Sequence, residues 1–201
     1  MIYSLIRKQT PYQHWEFLNL ERGDRLRIVP ERGGLITSWV CQERELFYLD
    51  EPRFNDPSKS VRGGMPILFP ICGNLPENRL LVNNNEYSLN QHGFARDSSW
   101  ELKSLEDGTG VNLYLEEDKI SFQSYPFSFK LNIELRINEN SLDIITRLIN
   151  NSEYLMPFSF GLHPYFKVKN LSNVRIEGLP DTCMNQLNMC KESTISQLQK
   201  L

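Results

Sequence analysis

Two short stretches hold two of the three histidines in the 201 residues: Gln91-His92-Gly93-Phe94-Ala95-Arg96 and Phe160-Gly161-Leu162-His163-Pro164-Tyr165-Phe166. An imidazole near its ordinary pKa both gives and takes a proton at neutral pH, which suits it to acid–base work on a bound ligand. His163 lies between apolar runs, with Gly161 and Pro164 interrupting the strand pattern. Phe158, Phe160, Tyr165 and Phe166 offer apolar faces to such a ligand. A buried histidine hydrogen-bonded to backbone fits the same surroundings, and the residues alone leave both readings open. His92 is preceded by Gln91 and followed by Gly93, which lets a ligand approach the backbone closely; a loop histidine without a role is the alternative. Arg62-Gly63-Gly64-Met65-Pro66, running on to Gly73-Asn74-Leu75-Pro76-Glu77-Asn78-Arg79, adds cations. Arg62, Arg79 and Arg96 either point into solvent or form forks for hydroxyls, a carboxylate or a phosphate.

Other chemistries find little support. No phosphate-binding glycine loop, nucleophile elbow or dinucleotide fingerprint occurs. The two histidines show no H-x-H or H-x-x-x-H spacing, so no metal and no cofactor is expected. Net charge is −3 with acids and bases interspersed, and no basic tract marks a nucleic-acid or membrane surface. The apolar start gives way to Arg7 and Lys8, too soon for a signal peptide. A cytoplasmic chain is therefore expected, with Asn150 and Asn170 unglycosylated. Cys41, Cys72, Cys183 and Cys190 lack Cys-x-x-Cys spacing and read as reduced thiols, mostly core filler.

The elements that must position the histidines read as β-strands within one domain, residues 1–201. Ile2–Lys8, His14–Leu20, Arg25–Val29, Leu35–Cys41 and Glu45–Leu49 alternate between turn signals. Asp50–Gly64, with Pro52 and Pro57, lacks periodicity and reads as a long surface loop of the kind that is often functional. Leu80–Val82 and Glu86–Leu89 flank an Asn83-Asn84-Asn85 turn. Trp100–Leu105 and Val111–Glu116 follow. From Phe129 to Ile137 the period is two, with Lys130, Asn132, Glu134 and Arg136 on a wet face, and Ser141–Ile149 returns as partner. Leu155–Phe160, Tyr165–Val168 and Val174–Ile176 continue as strands; Ser193–Leu201 is weakly helical. The fold class is all-β, antiparallel, in two packed sheets or an open barrel.

Taken together, the Arg62–Pro66, Gly73–Arg79, His92–Arg96 and Gly161–Phe166 motifs resemble the aldose 1-epimerase (mutarotase) family, in particular its hexose-6-phosphate epimerase-like branch. The resemblance implies a large antiparallel β-sandwich of the galactose-mutarotase type, with a sugar or sugar phosphate on a concave sheet. It implies His163 as the general acid at the ring oxygen and His92 as a hydrogen-bonding partner near the reacting centre. Asn78 and Arg79 resemble the Asn-Arg pair that binds hydroxyls; Arg62 and Arg96 resemble cations that hold phosphate, with Gln91 beside them. The family's glutamate base belongs to a late strand, and Glu177 comes too early to match it. The expectation is thus a sandwich incomplete at the C-terminus, with impaired activity. A non-catalytic carbohydrate-binding module and a purely structural β domain are the competing readings.

Overall fold

A computed structural model of the chain describes residues 2–185, 188 and 190–194. Its contacts fall into two units, residues 1–166 and 167–201. In the first, β1 (Tyr3–Lys8), β2 (His14–Asn19), β3 (Arg25–Val29), β4 (Leu35–Cys41) and β5 (Arg44–Glu45) form a five-stranded antiparallel meander in sequence order. After α1 (Glu51–Phe54) come β6 (Ile67–Leu68), then the hairpin of β7 (Arg79–Val82) and β8 (Asn85–Ser88). The second large sheet contains β9 (Glu101–Ser104), β10 (Val111–Glu116), β11 (Phe129–Ile137) and β12 (Leu142–Asn150), in the order β12-β11-β10-β9. A one-turn α2 (Ser121–Ser124) connects β10 to β11, and β13 (Gly161–Leu162) pairs with β6. The second unit holds a hairpin of β14 (Thr182–Asn185) and β15 (Cys190–Ser193).

Alternation builds the core. Phe129, Leu131, Ile133, Leu135 and Ile137 project from one face of β11 and are buried with Val111, Leu113 and Leu115 of β10. Phe17, Leu26, Ile28 and Ile36 of the five-stranded sheet join the same cluster, so two inner faces share one apolar interior. Phe69 lies at its centre, wholly buried, against Phe94, Tyr125 and Phe129. Each such aromatic or aliphatic side chain contributes about 1.5–3 kcal/mol through removal from water.

Several sequence expectations need correction. Glu134 is on the outer face of β11 as expected, but it is covered there, its carboxylate accepting from Arg136 Nε at 2.7 Å and Arg147 Nη1 at 3.0 Å. The stretch 50–64 is not structureless, because the Asp50 carboxylate accepts from the Arg53 N–H and Pro52 sits in the first turn of α1. Residues 155–160 form no strand. Pro157 has no N–H to give to a ladder, and this segment is held instead by single bonds such as Ser159 N–H to the Pro70 carbonyl. Val174–Ile176 holds no strand either, and beyond Gly161–Leu162 the next pairing is an isolated bridge at Phe166. Cys41 is buried, but Cys72, Cys183 and Cys190 are exposed rather than core filler. The expected C-terminal helix falls largely outside the described residues; within them Ser193 closes β15.

Candidate functional site

The two-residue strand β6 is the hub. Leu68 and Ile67 pair with Gly161 and Leu162, and the His163 N–H donates to the Pro66 carbonyl at 3.0 Å. On the other flank Phe69 makes a parallel bridge with Gly93. Gly93 has φ +70, and a Cβ there would lie 2.3 Å from the Phe69 carbonyl oxygen, so only glycine lets the two backbones approach. Histidines far apart in sequence thus flank one short strand. Their ring centroids are 6.3 Å apart, and the His163 ring also packs on Tyr165 at 5.1 Å.

The rings face a cavity of about 310 Å³. Arg62, Gln91, His92, Arg96 and His163 all line it, with Arg32, Ser60, Val61, Asp97 and Tyr165 among their neighbours. Asn78 and Arg79 are not among the lining residues. Arg79 belongs to the β7–β8 hairpin, where its guanidinium bonds Glu77 and lies 3.6 Å from Glu86. Asn78 engages through its backbone: its N–H donates to the Leu75 carbonyl, and its own carbonyl accepts from the Leu89 N–H.

His92 is held by a reciprocal pair of bonds. Its N–H donates to the Gly73 carbonyl at 2.8 Å, and its Nδ1 accepts from the Gly73 N–H at 3.0 Å. An Nδ1 that accepts cannot carry a proton, so the neutral ring is protonated on Nε2 and is a donor there. Burial, then the nearby charges of Arg96 and His163, hold the His92 pKa below the usual histidine value, favouring this neutral form. His163 is exposed, and its ring nitrogens make no hydrogen bond among the described residues. Arg96 is steered by its Nη2, which donates to the Gln91 carbonyl at 3.0 Å. Its Nε approaches Asp97 at 3.5 Å, a charge contact without hydrogen-bond geometry.

The arrangement can present a neutral donor, a second imidazole without a hydrogen bond among the described residues, an aromatic face and the guanidinium groups of Arg62 and Arg96 to one small ligand. The one carboxylate in the lining is Asp97, in charge contact with Arg96. Among the described residues no group of three or more His, Cys, Asp or Glu side chains is placed to hold a metal. A larger cleft of about 790 Å³, between β9, β10 and α2, lies away from both histidines. Its acids Glu101 and Glu116 are ion-paired with Lys103 and Lys130.

Comparison with known proteins decides the family. The aldose 1-epimerase family profile matches residues 17–199. The chain belongs to the aldose 1-epimerase family. A Cenchrus ciliaris protein provisionally named a glucose-6-phosphate 1-epimerase is 31% identical over 73% of this chain and 45% of its own length. An Escherichia coli protein with the same provisional name is 29% identical over 82% of this chain and 53% of its own. The chain therefore spans about half the length of these curated relatives. The crystal structure of Slr1438 from Synechocystis superposes with a TM-score of 0.86 at 35% identity, covering 98% of this chain and 69% of that one. A galactose mutarotase-like protein of Clostridium acetobutylicum, at 19% identity and TM-score 0.69 over 87% of this chain and 58% of its own, shares the fold. The expected all-β sandwich of the galactose-mutarotase type holds. No described helix is long and apolar enough to cross a membrane.

Arg32 was not legible as a site residue. Its contacts are to carbonyls more than twenty positions downstream, and no local spacing signals them.

Proposed function

We propose that this chain carries the sugar site of a cytoplasmic aldose 1-epimerase that interconverts the α and β anomers of a hexose or hexose 6-phosphate. The observation that carries it is the 6.3 Å approach of the His92 and His163 rings at a cavity walled by Arg62, Gln91 and Arg96. His163, exposed and without a competing bond, is the acid that protonates the ring oxygen. As the C1–O5 bond breaks, the anomeric hydroxyl gives up its proton to solvent water and becomes the carbonyl. Rotation about C1–C2 and reversal of these steps closes the other anomer. His92, donating through Nε2, binds an oxygen near the reacting carbon. Arg62 makes no side-chain bond or ion pair among the described residues, so with Arg96 it supplies positive charge for a phosphate. The substrate is a small sugar or sugar phosphate, with no nucleic acid, membrane or cofactor in the reaction.

Exchange spectroscopy on the anomers of glucose, galactose and glucose 6-phosphate tests the reading. Added protein should accelerate exchange, and His163→Ala should remove that acceleration. An unchanged rate in the variant overturns the assignment of the acid. The second reading, a carbohydrate-binding module without turnover, is favoured by one feature: the single lining carboxylate lies against Arg96 instead of standing free to take the hydroxyl proton. A missing base lowers the rate by about 10²–10⁴-fold. Saturable binding without accelerated exchange supports this module; failure to bind any of the three sugars overturns both readings.

A further inference from the structure

Arg32 sits in the turn between β3 and β4, beside Gly33. Gly33 packs so closely on residue 96 that a Cβ would lie 2.0 Å from the Arg96 carbonyl oxygen. From there the Arg32 guanidinium crosses to a distant part of the chain. It donates to the Phe54 carbonyl, to that of Asp56 at 3.3 Å and to that of Lys59 at 3.1 Å. It also lies over the Phe54 ring, 4.6 Å from the centroid. These carbonyls belong to the segment that runs directly into Ser60, Val61 and Arg62, which line the histidine cavity. Behind the segment is a second cavity of about 700 Å³, bounded by Tyr12, Phe54, Pro57 and Lys59. Arg32, Ser60, Val61, Arg96 and Asp97 line both, so they form the partition between them.

We propose that Arg32 is a positioning residue that sets the size of ligand the histidine cavity accepts, by fastening residues 54–59, the segment that leads into Ser60 and Val61 of the wall between the two cavities. The proposal rests on the sugar reading above. With the wall in place the site is about 310 Å³, at the lower end of the roughly 300–1,000 Å³ of small-molecule pockets. A volume that small favours one hexose ring with its phosphate over two rings. A planar guanidinium with five donors in a fixed fork can serve three carbonyls at once, which an ammonium on a flexible stem cannot match. Without the fork the segment loses its fastening to the β3–β4 turn, and the two cavities join.

The test compares the full 201-residue chain with its Arg32→Ala and Arg32→Lys variants. Amide hydrogen exchange across residues 54–62 should quicken about tenfold or more in Arg32→Ala, the equivalent of one charge-assisted bond, while 129–137 stays unchanged. Binding of glucose 6-phosphate and of the disaccharide trehalose 6-phosphate, followed by NMR titration, gives the second readout. The wild type should bind the monosaccharide alone; Arg32→Ala should bind it about tenfold more weakly and gain the disaccharide. A merely structural role would weaken the monosaccharide without admitting the disaccharide, and that result overturns the proposal. So does wild-type selectivity retained in Arg32→Lys, which would assign the effect to charge instead of the fork. Unchanged exchange at 54–62 overturns it too. If the wild type binds neither sugar the substrate reading fails, and with it the size limit; exchange alone then decides whether Arg32 fastens the segment.

Discussion

Replacing Gly93 by alanine probes the join that brings His92 to the cavity, and its cost can be worked from the structure. The residue has φ +70, where an L side chain costs about 1–2 kcal/mol. Its Cβ would also stand 2.3 Å from the Phe69 oxygen and 2.6 Å from Pro70 Cδ, far inside contact distance. Backbone must then separate, and the Phe69 oxygen accepts from the N–H groups of both Phe94 and Ala95 at 3.1 Å. Losing those two bonds adds about 0.5–1.5 kcal/mol each, for a total of about 2–5 kcal/mol. Gly108 is the control: φ is +68, but nothing lies within 4 Å of its Cβ position, so Gly108→Ala should cost only about 1–2 kcal/mol. Urea melts of both variants, with unchanged slope, give the two values directly. The NMR signals of His92 should move in Gly93→Ala and not in Gly108→Ala. Equal destabilisation of the two variants would refute the close-approach account of Gly93.

Three further outcomes are expected. In an NMR titration His92 should have a midpoint below the usual value of about 6.5, and Arg96→Ala should raise it only part of the way, since burial is the larger cause. The depressed value disfavours the protonated folded form, so the stability His92 contributes is complete above the unfolded pKa and is lost as pH falls through the folded one. Glu134 has its pKa lowered by its bonds to Arg136 and then Arg147. Glu134→Gln should therefore cost about 1 kcal/mol at neutral pH, discounted for the exposure of the arginines; the difference from wild type should vanish as pH falls through the folded value, and a gap persisting in acid would refute the account. Finally, Arg79→Ala should change glucose 6-phosphate affinity less than twofold in the same titration, because its guanidinium is engaged by Glu77 and Glu86 away from the cavity lining.

What the sequence revealed depended on how locally each feature is encoded. β10 was legible to the residue because burial alternates along it, and β11 likewise except at Glu134, which its arginine partners cover. The β7–β8 turn was legible because Asn83 and Asn84 tolerate the positive φ they adopt. The helix α1 had its signal in plain view, an Asp before a Pro-containing turn, but it was submerged in a stretch without periodicity. Apolar spacing at 155–160 suggested a strand, yet Pro157 interrupts any ladder. The histidines were conspicuous by their glycine and proline neighbours. Arg79 carried a motif whose acids decide its direction, and one of these, Glu86, comes from the next strand. Arg32 carried no motif at all, since tertiary contact alone defines what it does.

The double tie between His92 and Gly73 has a consequence for reagents as well as for ligands. Acylating agents such as diethyl pyrocarbonate attack the unprotonated ring nitrogen, and in His92 that atom already faces a main-chain amide. His163 is exposed, and its ring nitrogens make no hydrogen bond among the described residues. Carbethoxylation should thus mark residue 163 first, so the two imidazoles of one cavity can be told apart by chemistry alone.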